Sequence, residues 1–297
     1  MKMVDVAKSL TSAVEYWRTH KTTIRRAGLP LAMILFVGGI YLSLRATPDI
    51  LARLEFAPFI LLILIGAPIH TLLNGYVLKQ SAQFAGKHMP MRNAVELTLM
   101  GSAANLLPIP GAILSKIGGL KAHGVEGAKI AKVLVLTALI WGALSFLWAG
   151  GAAILLDAPL VGAIFLAIAG AMGLVTLLLH RGGEGRRPLL NITAVRLLNL
   201  PLDAVRFIVL MAIAGVSLNF VEASIFSISG FVATSSMIFP AGLGIYEATV
   251  ALLSQLVSVE PAVAFLVAVI GRIAYLCGLT LTAILLWLFN RIRPATA

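Results

Sequence analysis

Long apolar runs without alternation constrain this chain more than any other feature. Leu, Ile, Val, Ala and Gly continue through segments such as 56–78, 133–156 and 261–289. A helix crosses a bilayer with roughly 20 apolar residues, because each adds about 1.5 Å across about 30 Å of hydrocarbon. Barrel strands would alternate apolar and polar residues instead. Hydrophobic residues are 60% of the 297 and charged residues 12%, against about 25% charged in soluble domains. The fold class these runs predict is an all-α polytopic membrane protein.

Six full spans are expected, near 29–44, 56–78, 133–156, 160–180, 204–221 and 261–289. The first run follows a polar start and has no small-residue cleavage site after it, so it reads as a retained span. Two further apolar segments are interrupted. Residues 94–120 break around Pro108, Pro110 and Gly111, and residues 223–257 break at Pro240, Gly242 and Gly244. Proline removes a backbone donor, and broken backbone at membrane depth must be surrounded by protein or a wet cavity. Each interrupted segment therefore reads as a re-entrant hairpin of two half-helices. Two full crossings per segment would give the same inside and outside assignment, although the halves are short for it.

Basic residues cluster near span ends on one side, which places both termini in the cytoplasm. The expected organisation is a basic cytoplasmic lead (1–28), a first transmembrane repeat (29–156), a second repeat (157–290) with a hydrophilic cytoplasmic loop at 181–203, and a tail (291–297). The second part of that loop is a candidate interfacial helix. Each repeat reads span, span, hairpin, span, and the pattern recurs after about 130 residues in the opposite orientation. Inverted repeats with broken helices are a transporter arrangement. The expected location is the inner (cytoplasmic) membrane.

The net charge of +11 fits this topology and attraction to anionic lipid better than nucleic-acid binding. The single Cys277 and five scattered His give no metal-ligand spacing, so neither metal nor cofactor is expected. The Gly-Leu-Gly at 242–244 is no dinucleotide loop, because no βαβ unit surrounds it.

The candidate site gathers at the breaks. Peptide groups freed from a helix can hold an anion or ion. Asn105, Pro108 and Pro110 mark the first break, with Lys116 after it, positioned to snorkel toward cytoplasmic headgroups. Ser236, Pro240, Gly242 and Gly244 mark the second. Glu247 and Arg272 are the two charges deepest in apolar surroundings. Such charges are costly in a bilayer and must be paired or face a polar cavity, so the two are expected to meet, or Arg272 to hold a lipid phosphate. His70 and Asn74 share a helical face and read as packing and interhelical hydrogen bonds rather than ligands. Arg92 and Glu96 read as a local ion pair.

Phe239-Pro240-Ala241-Gly242-Leu243-Gly244-Ile245-Tyr246-Glu247-Ala248 resembles the F-P-G-G-L-G-x-x-E-A motif of the flippase-like family, which includes the transmembrane domain of lysylphosphatidylglycerol synthases. Asn105-Leu106-Leu107-Pro108 is similar to the family's first break, N-x-L-x-P-x-R-x-G-E. Arg272 is similar to its basic residue in the last core span. The chain departs where Pro110 stands for the usual Arg, Ile113 for the usual Glu and Ala241 for a Gly, while Lys116 keeps the later basic position. The resemblance implies translocation or binding of an amphiphilic lipid, either a phospholipid or an isoprenoid-type lipid. The family's cytosolic aminoacyl-transfer domain has no counterpart in these residues, so no aminoacyl-transfer activity is expected. The implied partners are membrane lipids, and beyond them a second copy of the chain or a separate lipid-modifying enzyme. A membrane-embedded enzyme would instead need a second ionisable group near Glu247 or Arg272. A structural or partner-binding protein would have a dry, closed centre.

Overall fold

The computed structural model describes residues 31–104, 111–180, 185–236 and 242–292. All regular structure among them is helical. In chain order the helices are α1 (Leu31–Ala46), α2 (Phe56–Phe84), α3 (Met91–Ala104), α4 (Gly111–Ala122), α5 (Gly127–Leu155), α6 (Pro159–Leu179), α7 (Arg186–Ala212), α8 (Phe220–Ser235), α9 (Ile245–Val257) and α10 (Pro261–Ile292).

Four helices among the described residues are long and apolar enough to cross a membrane: α2, α5, α6 and the Pro261–Leu288 part of α10. α6 shows what surrounds them. Only 11% of its apolar window is buried inside the protein, and Leu160, Ile164, Leu174 and Leu177 point outward. In water such a surface would drive aggregation; in hydrocarbon it is at home. α5 and α6 form the tight hairpin expected around Asp157 and Pro159. Gly150 and Gly162 let the two backbones approach, because a Cβ on Gly162 would sit 2.9 Å from the Gly150 carbonyl oxygen. Small residues at such crossings are how membrane helices gain packing without a hydrophobic drive.

Both interrupted segments fold as pairs of short helices. At 14 and 12 residues, α3 and α4 are about 21 and 18 Å long, and they lie antiparallel. Ser115 Oγ donates to the Leu97 carbonyl at 2.7 Å, and Gly101 faces Ala112 and Ser115. α8 begins at a complete capping box. Asn219 Oδ1 accepts from the Val221 and Glu222 amides, and the Glu222 carboxylate accepts from the Asn219 amide. That accounts for Glu222 as a capping residue. α9 folds back beside α8.

The segment 181–203, expected as a hydrophilic loop whose second part is an interfacial helix separate from a span at 204–221, contains that helix, but not as a separate element. From Arg186 it belongs to one helix that runs unbroken to Ala212 with Pro201 inside it. The reason is a buried stripe at helical spacing, comprising Leu189, Ile192, Arg196, Asn199, Leu200, Ala204, Phe207, Leu210 and Met211. Its apolar and polar members face the protein together, so the helix holds although its average hydropathy is low. The expected span also stops early. Gly215, at φ +71°, turns the chain after Ala212, and the Val216 amide bonds back to the Met211 carbonyl.

The main core joins α7, α8, α9 and α10. Phe207 and Phe226 stack with centroids 4.9 Å apart, surrounded by Met211, Ile225, Val250 and Val267. α2 contains a π turn at Leu62–Gly66, a deformation frequent at functional sites. Just past it α2 meets α10 closely, since a Cβ on Gly278 would lie 2.3 Å from the Ala67 Cβ.

Candidate functional site

The second break builds its own charged centre. Gly242 and Gly244 have φ of +62° and +79°, a backbone region open to glycine but strained for other residues. This turn starts α9, whose first turn carries Glu247. One carboxylate oxygen accepts from the Gly244 amide at 2.9 Å, satisfying an amide that the new helix cannot. The other accepts from Arg272 Nε at 2.7 Å. Glu247 is fully buried, while Arg272 retains 20% of its side-chain exposure. Arg272 also reaches toward the Gly242 carbonyl at 3.5 Å and lies over the Tyr246 ring, 5.8 Å from its centroid. The expected meeting of Glu247 and Arg272 across 25 residues is thus observed.

Arg272 borders two of three adjoining cavities, and His70 borders all three. The central one, about 210 Å³, is walled by Trp141, Asp203, Arg206, Thr234, Arg272 and Tyr275 among others. A second, about 250 Å³, reaches the first hairpin and is bordered by Asn74, Thr98, Ser102, Lys116, Arg196 and Arg272. The third, about 300 Å³, is largely apolar and opens between α2 and α7.

α7 supplies the polar wall. Arg196, Asn199, Asp203 and Arg206 follow one another by three, four and three residues, which stacks them on one helical face. Asp203 and Arg206 pair at 3.2 Å. Arg196, only 5% exposed, donates from Nη1 to Asn74 Oδ1 at 3.2 Å and stands over the Trp141 ring at 5.0 Å. Its Nε has no hydrogen-bond partner among the described residues.

The expected site residues separate into three groups. Glu247, Arg272, Gly242 and Gly244 form the second-break centre. Lys116 also belongs to the site, where it borders the interior cavity with Arg196 and Arg272. Ser236 does not border the cavities. Its hydroxyl donates to the Ala233 carbonyl at 2.7 Å and closes the end of α8, while Thr234 takes the cavity position. Asn105, Pro108, Pro110 and Pro240 lie outside the described residues. Arg92 and Glu96 pair at the surface as expected, at 2.9 Å. His70 and Asn74 were expected as packing and interhelical hydrogen bonds; Asn74 makes such a bond with Arg196 of α7, and both residues also border a cavity. The α7 residues were missed, and the signal that could have found them is the three-four-three spacing of Arg196, Asn199, Asp203 and Arg206.

Comparison with family models, curated proteins and solved structures finds no match. The chemistry is therefore read from the cavities themselves. Among the described residues, Lys116, Arg196, Arg206 and Arg272 border them, with Asp203 as the bordering acid and Glu247 paired to Arg272 as a second. A polar interior with excess positive charge, joined to an apolar opening, suits an amphiphile whose polar end is anionic.

Proposed function

We propose that the protein is a lipid translocase of the flippase-like kind, moving an amphiphilic lipid between leaflets. The observation that carries this reading is the run of adjoining cavities. It begins at an apolar opening between α2 and α7 and ends at a polar interior, to which the first broken segment contributes Lys116, the second Thr234 and Tyr246, α7 Arg196, Asp203 and Arg206, and α10 Arg272. A headgroup can move through the polar interior while its chains remain in hydrocarbon, which avoids dragging charge through the bilayer core. In this reading α3–α4 and α8–α9 are re-entrant hairpins, the two halves of the chain are inverted repeats with six spans, and both termini face the cytoplasm of a cell membrane. The short lengths of α3 and α4 and the Phe-Pro-Ala-Gly-Leu-Gly resemblance support it.

The test is lipid scrambling in proteoliposomes with fluorescent lipids of several headgroups, compared with protein-free vesicles. Faster exchange of at least one lipid, recovered chemically unchanged, is the expected result. Recovery of an altered headgroup would favour a membrane-embedded enzyme, for which His70 and Asp203 on the central cavity are the nearest proton-transfer groups. No exchange of any lipid would end the translocase reading. Topology is tested by single cysteines on a Cys277→Ala background. Labels at positions 50, 158 and 259 should react from outside, and those at 122 and 186 from the cytoplasm.

A further inference from the structure

The central charges do not cancel, and the imbalance is local. Arg272 is matched by Glu247 and Arg206 by Asp203. Among the described residues neither Lys116 nor Arg196 has a carboxylate within ion-pair distance. The break segments 105–110 and 237–241 contain no Asp or Glu, so neither break can supply the missing acid. Both unmatched cations border the same cavity of about 250 Å³, together with Arg272. Arg196 is the more telling. It is 5% exposed, held by Asn74 and Trp141, and keeps a buried Nε without a partner. A fixed guanidinium with an unused donor beside an ammonium is a phosphate-binding arrangement. Arginine presents a planar fork and lysine a point charge, and both bind most strongly to a charged oxygen acceptor.

The apolar opening identifies the rest of the ligand. Leu61, Ile65 and Ile69 of α2 face Leu202, Val205 and Val209 of α7 around a groove of about 300 Å³. All but Val209 are exposed at the protein surface. At its inner end stand His70, Asp203 and Arg206, which also border the central cavity. A free phosphate would gain nothing from this groove. A hydrocarbon chain attached to a phosphate would fill it.

We propose that this protein selects lipids with a net-negative phosphate headgroup, the phosphate held by Lys116 and Arg196 in the inner cavity and a hydrocarbon chain held in the α2–α7 groove. The proposal deepens the translocase reading by naming its substrate class, yet the binding it asserts can be measured without transport.

The experiment uses the full chain purified in neutral detergent, with native mass spectrometry or thermal stabilisation as the readout. Probes are phosphatidic acid, phosphatidylcholine, diacylglycerol and sodium phosphate. Phosphatidic acid should bind at least roughly tenfold more tightly than phosphatidylcholine, the difference expected for one charge-assisted contact set. Diacylglycerol and sodium phosphate should bind weakly. Arg196→Gln and Lys116→Gln should each abolish the discrimination, whereas Arg196→Lys should retain part of it. Ile65→Trp, at an exposed position, should weaken both phospholipids and leave their ratio unchanged. If Arg196→Gln does not fold, Lys116→Gln alone decides, since it removes no ion pair. Equal affinity for the two phospholipids, or sodium phosphate binding as tightly as phosphatidic acid, overturns the proposal. The same lipids in proteoliposomes separate the two readings. Selective binding without movement of any lipid ends the translocase reading and keeps the phosphate site. Equal movement of both lipids keeps the translocase and overturns the selectivity.

Discussion

The α3–α4 and α8–α9 hairpins solve one backbone problem with opposite electrostatics. Each folds a pair of short helices against itself, and each brings a charged side chain to the interior, Lys116 in the first and Glu247 in the second. In the second hairpin the charge is answered on the spot. Glu247 is buried, tied to the Gly244 amide and paired with Arg272 from α10. In the first, Lys116 reaches the cavity without an acid, and the neighbouring position that carries Glu in the family it resembles is Ile113. A matched buried charge resists separation, because removing one partner strands the other. An unmatched one awaits a partner. If the proposed phosphate site holds, the second hairpin is an anchor and the first a receptor, and substitutions should tell them apart.

The largest effect is expected at Glu247. Glu247→Gln leaves Arg272 without its acid and should cost about 3–5 kcal/mol, read as loss of detergent-stable yield together with lipid flux. Arg272→Gln should lose yield in the same way. The double substitution should recover yield, and recovery of full flux as well would remove Arg272 from the transport path. Gly244→Ala comes next. It forces a side chain into a φ of +79° with its Cβ 3.0 Å from the Leu35 Cβ, and strain of this kind costs about 1–3 kcal/mol. A lowered Tm is the check, and Gly101→Ala in the first hairpin, at an ordinary φ, should lower it less. Lys116→Gln should preserve yield and Tm while reducing flux of an anionic lipid about tenfold. If it lowers yield as far as Glu247→Gln does, the distinction between anchor and receptor fails. The smallest effect belongs to Glu96→Gln on the outside of α3. Its exposed pair with Arg92 contributes about 0.3–0.5 kcal/mol, and neither flux nor Tm should change measurably.

The second hairpin was legible in the sequence because its signals are local and rare. A Pro-Ala-Gly-Leu-Gly break stands out in apolar surroundings, and Glu247 and Arg272 are charges with no loop to explain them. The α5–α6 pair was legible for the same reason, with Asp157 and Pro159 dividing two clean runs. α7 was not. Averaged along the chain, Arg186, Arg187, Arg196, Asp203 and Pro201 look like a water-exposed connection. The average mixes the faces of a helix and cannot distinguish charges aimed at water from charges aimed at an internal cavity. Lys116 carries the same ambiguity, since a long stem reaches either way, although its place beside the first break is read from the sequence. His70 and Asn74 were correctly placed on one face of α2, but which neighbour that face meets is set by α7, and the sequence reads α7 as a loop with an interfacial helix followed by a separate span. The site's cationic excess therefore emerged only once that helix was in place.

Pro201 gives α7 a mechanical property that its neighbours lack. It lies between Asn199 and Asp203, so it divides the polar stripe into an Arg196–Asn199 half and an Asp203–Arg206 half. Proline has no amide hydrogen to offer the carbonyl four residues back, that of Leu197, and its ring crowds that turn. The helix is consequently softest to bending midway along its charged face, and kinks in long helices concentrate at such positions. A bend there would work like a wrist, turning Arg196 relative to the mouth of the groove at Arg206.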